Sequence, residues 1–296
     1  MPRSSIIAIV CDFDDTLGED TTNLFLRNVL GMSASKIRFF WDTTVGTRVK
    51  DGWDPPLAYM TLILRELRKK NLVVTNEALR QLGGSVLLFP GVQDLVPRLR
   101  AFVRRRKFKE ANVSVEFYII SGGFEEIIKG TPIAPEIERH RIFGCTFHAT
   151  PKGGIVAPKS IVTFTEKTKF LYAINKGVFA YLKRNPYAVN DVMPDASRRI
   201  PFENMIYIGD GPTDIPCFSS VQRAGGKTIG ILKYNKLGGH ITVDKTRAWA
   251  IAKGERATLG PFNPDYQRDS DLYRNLEMQI ERIGLDIWDS HYRREP

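Results

Sequence analysis

Apolar residues in this chain follow two rhythms. Short unbroken runs recur at Ile6–Cys11, at "VSVEFYII" (113–120), in "ENMIYIGDG" and at "GKTIGIL" (226–232). Runs of this length, bounded by polar or glycine residues, predict strands buried on both faces. Elsewhere the apolar positions recur at helical spacing. Leu57, Met60, Ile63, Leu64 and Leu67 trace one stripe behind Pro55 and Pro56, and proline at a helix start is a normal signal. Val92, Leu95, Val96, Leu99 and Val103 trace another as far as about Arg105, where Pro97 implies a kink or a late start. "TEKTKFLYAINKGVFAYLKR" predicts a third helix, and Leu272, Leu276 and Ile280 mark one near the C-terminus. The segment 144–164, with β-branched residues around "KGG", predicts a small β-hairpin.

The order of these elements sets the fold class. One strand comes first, residues 20–86 are helical with short breaks, and from residue 89 strands alternate with helices. Alternation implies an α/β, Rossmann-like parallel sheet with helices on both faces. The expected organisation is a core of 1–17 and 88–296, with a small β insert near 144–164 and a helical domain of 18–87 inserted after the first strand. No internal repeat or low-complexity stretch interrupts this pattern.

Composition narrows the class. The chain has 296 residues, 43% of them hydrophobic and 26% charged, ample for a large core. No apolar run approaches the ~20 residues of a membrane span, and "IIAIV" is too short for a signal-peptide core. The expectation is a soluble, cytoplasmic protein without a membrane partner. Cys11, Cys145 and Cys217 and the four histidines are scattered, so neither a disulfide framework nor a zinc site is expected. The net charge of +10 is concentrated between Arg98 and Lys109. That run reads as a solvated helix face and loop, with a nucleic-acid surface as the less favoured alternative.

Candidate chemistry lies at the strand ends. "CDFDDTLGED" places five acidic residues directly after the first strand. Two charges ~4 Å apart at an effective dielectric of ~20 repel by about 4 kcal/mol, so such a cluster needs a compensating cation. A second strand ends in Ser121-Gly122-Gly123 and a third in "GDGPTD", with "TEKTK" leading a helix between them. If these tips converge, carboxylates without histidine or cysteine favour a hard cation, Mg²⁺, which is commonly held by a few carboxylates together with substrate phosphate.

In that order, "DFDDT", "IISGG", a helix-leading lysine and "GDGPTD" resemble the four motifs of the haloacid dehalogenase superfamily, and "SGGFEEI" resembles its phosphoserine phosphatase-like branch. The resemblance covers about 5–17 and 88–232. Residues 18–87 stand where that superfamily carries its first cap. It implies that Asp12 is the nucleophile forming an aspartyl-phosphate, and that Asp14 is the acid and base. It implies further that Ser121, the Gly122 N–H and a lysine bind phosphate, and that Asp12, the Asp14 carbonyl, Asp210 and Asp214 serve the metal. Asp214 would orient a metal-bound water or pair with the lysine. Lys167 is preferred for the lysine, ahead of Lys169 and Lys176. Asp15, Glu19 and Asp20 read as turn or cap residues, and Trp41 and Trp53 as core in preference to stacking surfaces.

The implied activity is a Mg²⁺-dependent phosphomonoesterase acting on a small phosphorylated metabolite, with the helical insertion closing over the site. The alternatives are a nucleic-acid end phosphatase and a non-catalytic binding protein. Phosphotransfer to an alcohol is not separable from hydrolysis by sequence. The segment 233–296 carries several aromatic residues and no assignable role.

Overall fold

The unbroken apolar runs become the middle of a seven-stranded sheet. The computed structural model describes residues 4–182, 184–232, 234–237, 240–243 and 257–292. The strands are β1 (Ile6–Cys11), β2 (Ser114–Phe124), β3 (Ile142–Ala149), β4 (Ile155–Ser160), β5 (Met205–Gly209), β6 (Lys227–Ile231), β7 (Tyr234–Leu237), β8 (His240–Val243) and β9 (Leu259–Phe262). The large sheet runs β4-β3-β2-β1-β5-β6-β9, while β7 and β8 form a separate antiparallel pair. Every neighbouring pair in the large sheet is parallel except β3 with β4. Ile7, Ile9, Val10, Tyr118, Ile119, Ile206 and Ile208 are fully buried, as expected of strands covered on both faces.

β1 is the pivot of this topology. The chain leaves β1 to build β2 on one side and returns later to build β5 on the other. Loops therefore diverge above the carboxyl end of β1, leaving the crevice where α/β sheets bind ligands.

The segment after β1 is helical, and its two ends pair with each other. Gly18 bridges Leu88, Glu19 N donates to Leu87 O at 3.0 Å and Phe89 N donates to Leu17 O at 2.9 Å. Between them lie α1 (Thr21–Asn28), α2 (Ala34–Phe39), a π-helical segment (Phe40–Val45), α3 (Gly46–Lys50), α4 (Pro55–Lys69) and α5 (Asn76–Gly83). Side chains of Asp20, Asp54 and Thr75 accept from backbone N–H groups in the first turns of α1, α4 and α5. α4 buries Tyr59, Met60, Ile63 and Leu64, and the same apolar cluster continues into the sheet.

One open alternative is decided and two local expectations are modified. Pro97 lies in the first turn of α6 (Leu95–Phe102), so the helix starts late instead of kinking, and a short α7 (Arg106–Glu110) follows. Ser121-Gly122-Gly123 does not end β2 but lies within it, where the pairing with β3 shifts register before α8 (Glu125–Ile128). The hairpin near 144–164 is the edge of the main sheet, because β3 begins at Ile142 and pairs with β2. Further on, α9 (Phe164–Lys176) and α10 (Ile215–Arg223) precede the last helix, α11 (Asp271–Tyr292). α11 buries Leu272, Leu276, Ile280 and Ile287, so this part of the C-terminal segment is core. Trp249 lies outside the described residues.

Candidate active site

Side chains alternate along extended chain, so Phe13 enters the core while Asp12 and Asp14 share the opposite side. Asp12 continues the sheet by donating its N–H to Ile208 O at 2.9 Å, and its Oδ1 accepts from Phe13 N at 2.6 Å. The chain then turns sharply at Asp15, whose φ of 56° is a left-handed conformation that aspartate tolerates. Thr16 Oγ1, beyond that turn, lies 3.4 Å from Asp210 Oδ1 at the end of β5.

Lys167 joins the tips. Thr163 caps α9, which places Lys167 in the first turn on the same inward stripe as Leu171 and Ile174. Its Nζ lies 2.6 Å from Asp12 Oδ2 and 2.7 Å from Asp214 Oδ1. Asp214 is fixed further by Tyr207 Oη at 2.8 Å and by Gly211 N, which donates at 3.2 Å. Of the three lysines, Lys167 alone reaches the acids: Lys169 pairs with Glu166, and Lys176 donates to the carbonyls of Val189 and Asp191. Ser121 is fully buried, and its hydroxyl accepts from Gly123 N at 3.1 Å.

These contacts set the charge states. Burial raises the Asp12 pKa, and the Lys167 ammonium opposes it. For Lys167, burial disfavours the ammonium, but Asp12 and Asp214 outweigh it and raise its pKa, so the lysine remains protonated. Asp14 sits at the start of α1, where Thr21 N and Thr21 Oγ1 donate to it at 3.0 and 3.2 Å. Burial, and then the charge of Asp20, nevertheless push its pKa well above the usual carboxylate value. One neighbour of this seat must be glycine. A Cβ on Gly123 would stand 2.3 Å from Thr21 Oγ1 and 2.5 Å from Asp14 Oδ2.

Asp12, Asp210 and Asp214 offer carboxylate oxygens within 4.8 Å of one another, all buried. An all-oxygen donor set suits a hard divalent cation. These residues therefore fit Mg²⁺. Above them opens a cavity of about 220 Å³ lined by Asp12, Asp14, Ser121, Gly122, Lys167 and Asp210, with helical-insertion residues on the facing wall. The candidate residues from all four motifs thus meet at one place.

No protein-family model matches the chain. An uncharacterized protein of Borreliella burgdorferi is 28% identical over 237 residues, covering 73% of this chain and 78% of that protein. Among solved structures, a haloacid dehalogenase-family hydrolase of Salmonella enterica serovar Typhi aligns with a TM-score of 0.48 at 18% identity, covering 78% of this chain and 63% of that one. A cytosolic 5'-nucleotidase IIIB bound to cytidine aligns with a TM-score of 0.48 at 12% identity, covering 94% of this chain and 86% of that one.

Several residues of the site were not anticipated. Tyr59, on α4, donates its hydroxyl to Gly122 O, so the helical insertion grips the predicted phosphate-binding turn. Tyr266, fully buried, donates its hydroxyl to Thr16 O at 2.9 Å from 250 residues away, while its backbone carbonyl accepts from Arg98. No local pattern signals either contact. Lys167 did carry a signal, the spacing i, i+4, i+7 with Leu171 and Ile174. Trp41 lines the cavity, and its ring meets Tyr59 edge-on at 5.4 Å, whereas Trp53 stacks under Arg48 at 4.5 Å.

Proposed function

We propose that the chain is a haloacid dehalogenase-type phosphatase: a Mg²⁺-dependent phosphomonoesterase that works through an aspartyl-phosphate on Asp12. One observation carries this reading, the Lys167 ammonium held between Asp12 and Asp214 beneath a cavity that Ser121 and Asp14 also face. A carboxylate nucleophile divides a difficult displacement into two easier ones. Asp12 attacks phosphorus, and the bond to the leaving oxygen breaks. Lys167, Ser121 and the Gly122 N–H hold the phosphoryl oxygens as their charge redistributes. Asp14, whose pKa burial raises, protonates the leaving oxygen. It then takes a proton from water as that water attacks phosphorus, releasing inorganic phosphate and restoring the Asp12 carboxylate.

Asp12, Asp210 and the Asp14 carbonyl would hold Mg²⁺, with Asp214 behind them fixing Lys167. When bound, the ion offsets carboxylate repulsion and makes the phosphoryl group more electrophilic. The helical insertion, residues 18–87, acts as a cap domain that excludes water, and because Thr21 orients Asp14, its placement also sets the acid. The natural substrate in this reading is a small phosphorylated metabolite in the cytoplasm.

Hydrolysis of an aryl phosphate by the wild type and by Asp12→Asn, with Mg²⁺ and with chelator, tests the proposal. Turnover requiring both Asp12 and the ion is expected. Aryl phosphate turnover that survives Asp12→Asn overturns the nucleophile, and turnover that survives the chelator overturns the metal.

A further inference from the structure

The turn that follows Asp12 is held by a distant part of the chain. Within it the N–H groups of Thr16, Leu17 and Gly18 share Phe13 O, at 3.2, 2.8 and 3.3 Å. Thr16 is fully buried, and its Oγ1 lies on Asp210 Oδ1. Its carbonyl accepts from the Tyr266 hydroxyl at 2.9 Å, and among the described residues no other hydrogen bond reaches that carbonyl. The phenol is anchored at its own backbone. Tyr266 N donates to Pro90 O at 2.8 Å, and Arg98 Nη2 donates to Tyr266 O at 2.7 Å and to Gly91 O at 2.6 Å. The Arg98 guanidinium in turn lies over the Tyr273 ring of α11, 4.3 Å from its centroid. Gly91 has a φ of 76°, and a Cβ there would stand 2.5 Å from the Tyr266 carbonyl carbon and oxygen, so this approach requires glycine. Phe89 N then donates to Leu17 O, and the contacts close a ring around the turn.

Core packing alone does not call for the hydroxyl, since phenylalanine would fill the same space. A buried carbonyl deprived of its donor is destabilising, so the backbone at Thr16 would shift to find another. What shifts with Thr16 is functional. Asp14 precedes it by two residues and bridges Gly18 across the turn, and the Thr16 hydroxyl meets Asp210. We propose that Tyr266 is a positioning residue: its hydroxyl fixes the Thr16 carbonyl and thereby sets where Asp14 and Asp210 stand, so that the C-terminal segment completes the site. The roles of those two aspartates rest on the phosphatase reading, with Asp210 and the Asp14 carbonyl as Mg²⁺ ligands.

The test compares the full-length wild type with Tyr266→Phe and with Leu276→Ala, a buried change on α11 that removes core packing and leaves the Tyr266 hydroxyl in place. Mg²⁺ binding is read by calorimetry, aryl phosphate turnover at saturating Mg²⁺, and stability by urea titration. Tyr266→Phe is expected to bind Mg²⁺ about tenfold more weakly and to lose about tenfold in kcat, with KM changed by less than about twofold. Leu276→Ala is expected to lose more stability than Tyr266→Phe while keeping Mg²⁺ affinity and kcat per folded molecule. In a Thr16→Val background, which removes the bond to Asp210, adding Tyr266→Phe should weaken Mg²⁺ binding less than it does in the wild type. Wild-type Mg²⁺ affinity in Tyr266→Phe, or equal losses of affinity and kcat in Leu276→Ala, overturns the inference. If Tyr266→Phe weakens Mg²⁺ binding while the wild type hydrolyses neither an aryl phosphate nor a panel of phosphorylated metabolites, the phosphatase reading alone fails.

Discussion

β2 carries two buried charge clusters, five residues or about 17 Å of strand apart. At Ser121 it borders Asp12, Lys167 and Asp214. At Glu116 it carries the opposite arrangement, one carboxylate among cations. Arg199 Nη1 and Nη2 reach the two Glu116 oxygens at 2.6 Å each, Arg141 Nη2 reaches Oε1 at 3.0 Å, and the Tyr118 hydroxyl donates to Oε2. Both groups are built from ion pairs on the same sheet, yet their consequences differ. The Glu116 cluster turns its donors and acceptors on one another and clamps the excursion before β5 to β2. The Lys167 cluster gathers three carboxylates with oxygens within 4.8 Å of one another, and Asp12 and Asp210 line a cavity. Buried charge that closes on itself is architecture, whereas carboxylates gathered beside a cavity mark a candidate functional site.

Breaking each cluster should give opposite phenotypes. The largest effect is expected for Asp12→Asn, which should lower aryl phosphate turnover by about 10⁴-fold while circular dichroism shows a folded protein. Chelation of the wild type should cost about 10³-fold, consistent with the several kcal/mol of charge stabilisation such ions provide, and added Mg²⁺ should restore it. Glu116→Ala should instead lower unfolding stability by about 3 kcal/mol, because the Arg199 guanidinium loses its carboxylate and Arg141 keeps only Glu138. Its turnover per folded molecule should match the wild type, and a denaturant titration alongside an assay would check both.

Two smaller predictions sharpen the contrast. Gly123→Ala should reduce turnover by about 10²-fold, since a methyl there displaces the Asp14 carboxylate from Thr21 and small misplacements are costly. A pH profile of kcat would show whether the acid limb moves with it. The last concerns Glu116 itself. Burial works against its charge, but Arg199, the Tyr118 hydroxyl and Arg141 outweigh it and lower its pKa. A carboxylate depressed in the folded state contributes stability in full above its unfolded pKa and loses that contribution as pH falls through the folded value. Urea midpoints measured from pH 6 down to pH 3 should therefore fall more for wild type than for Glu116→Gln. Parallel curves would show that the clamp is not the acid-sensitive element.

Much of the candidate site was legible in the amino-acid sequence, because its residues lie in short segments attached to apolar strands. Asp12 and Asp14 follow β1 at alternate positions, Asp210 follows β5, and Lys167 opens a helix with its apolar stripe in phase. The hairpin at 144–164 was also legible, but its place at the edge of the main sheet was not, since strand pairing partners are not encoded in the strand's own pattern. Glu116 had no sequence signal, being one acid in an apolar strand whose partners Arg141 and Arg199 lie 25 and 83 residues away.

Sequence by itself determined which residues form strands and helices, where the strands end in polar chemistry, and the fold class that brings such ends together. It did so because periodicity and turn residues act over a few positions. Only the tertiary structure decided that Asp214 is spent on Lys167 and Tyr207, that Tyr59 of the helical insertion holds Gly122, and that Tyr266 supports Thr16. It also decided that the cavity lining joins Asp20 and Trp41 to Phe164, over a hundred residues later in the chain. These are long-range contacts, settled by how elements pack and how buried polar groups find partners, and no local stretch of chain contains that information.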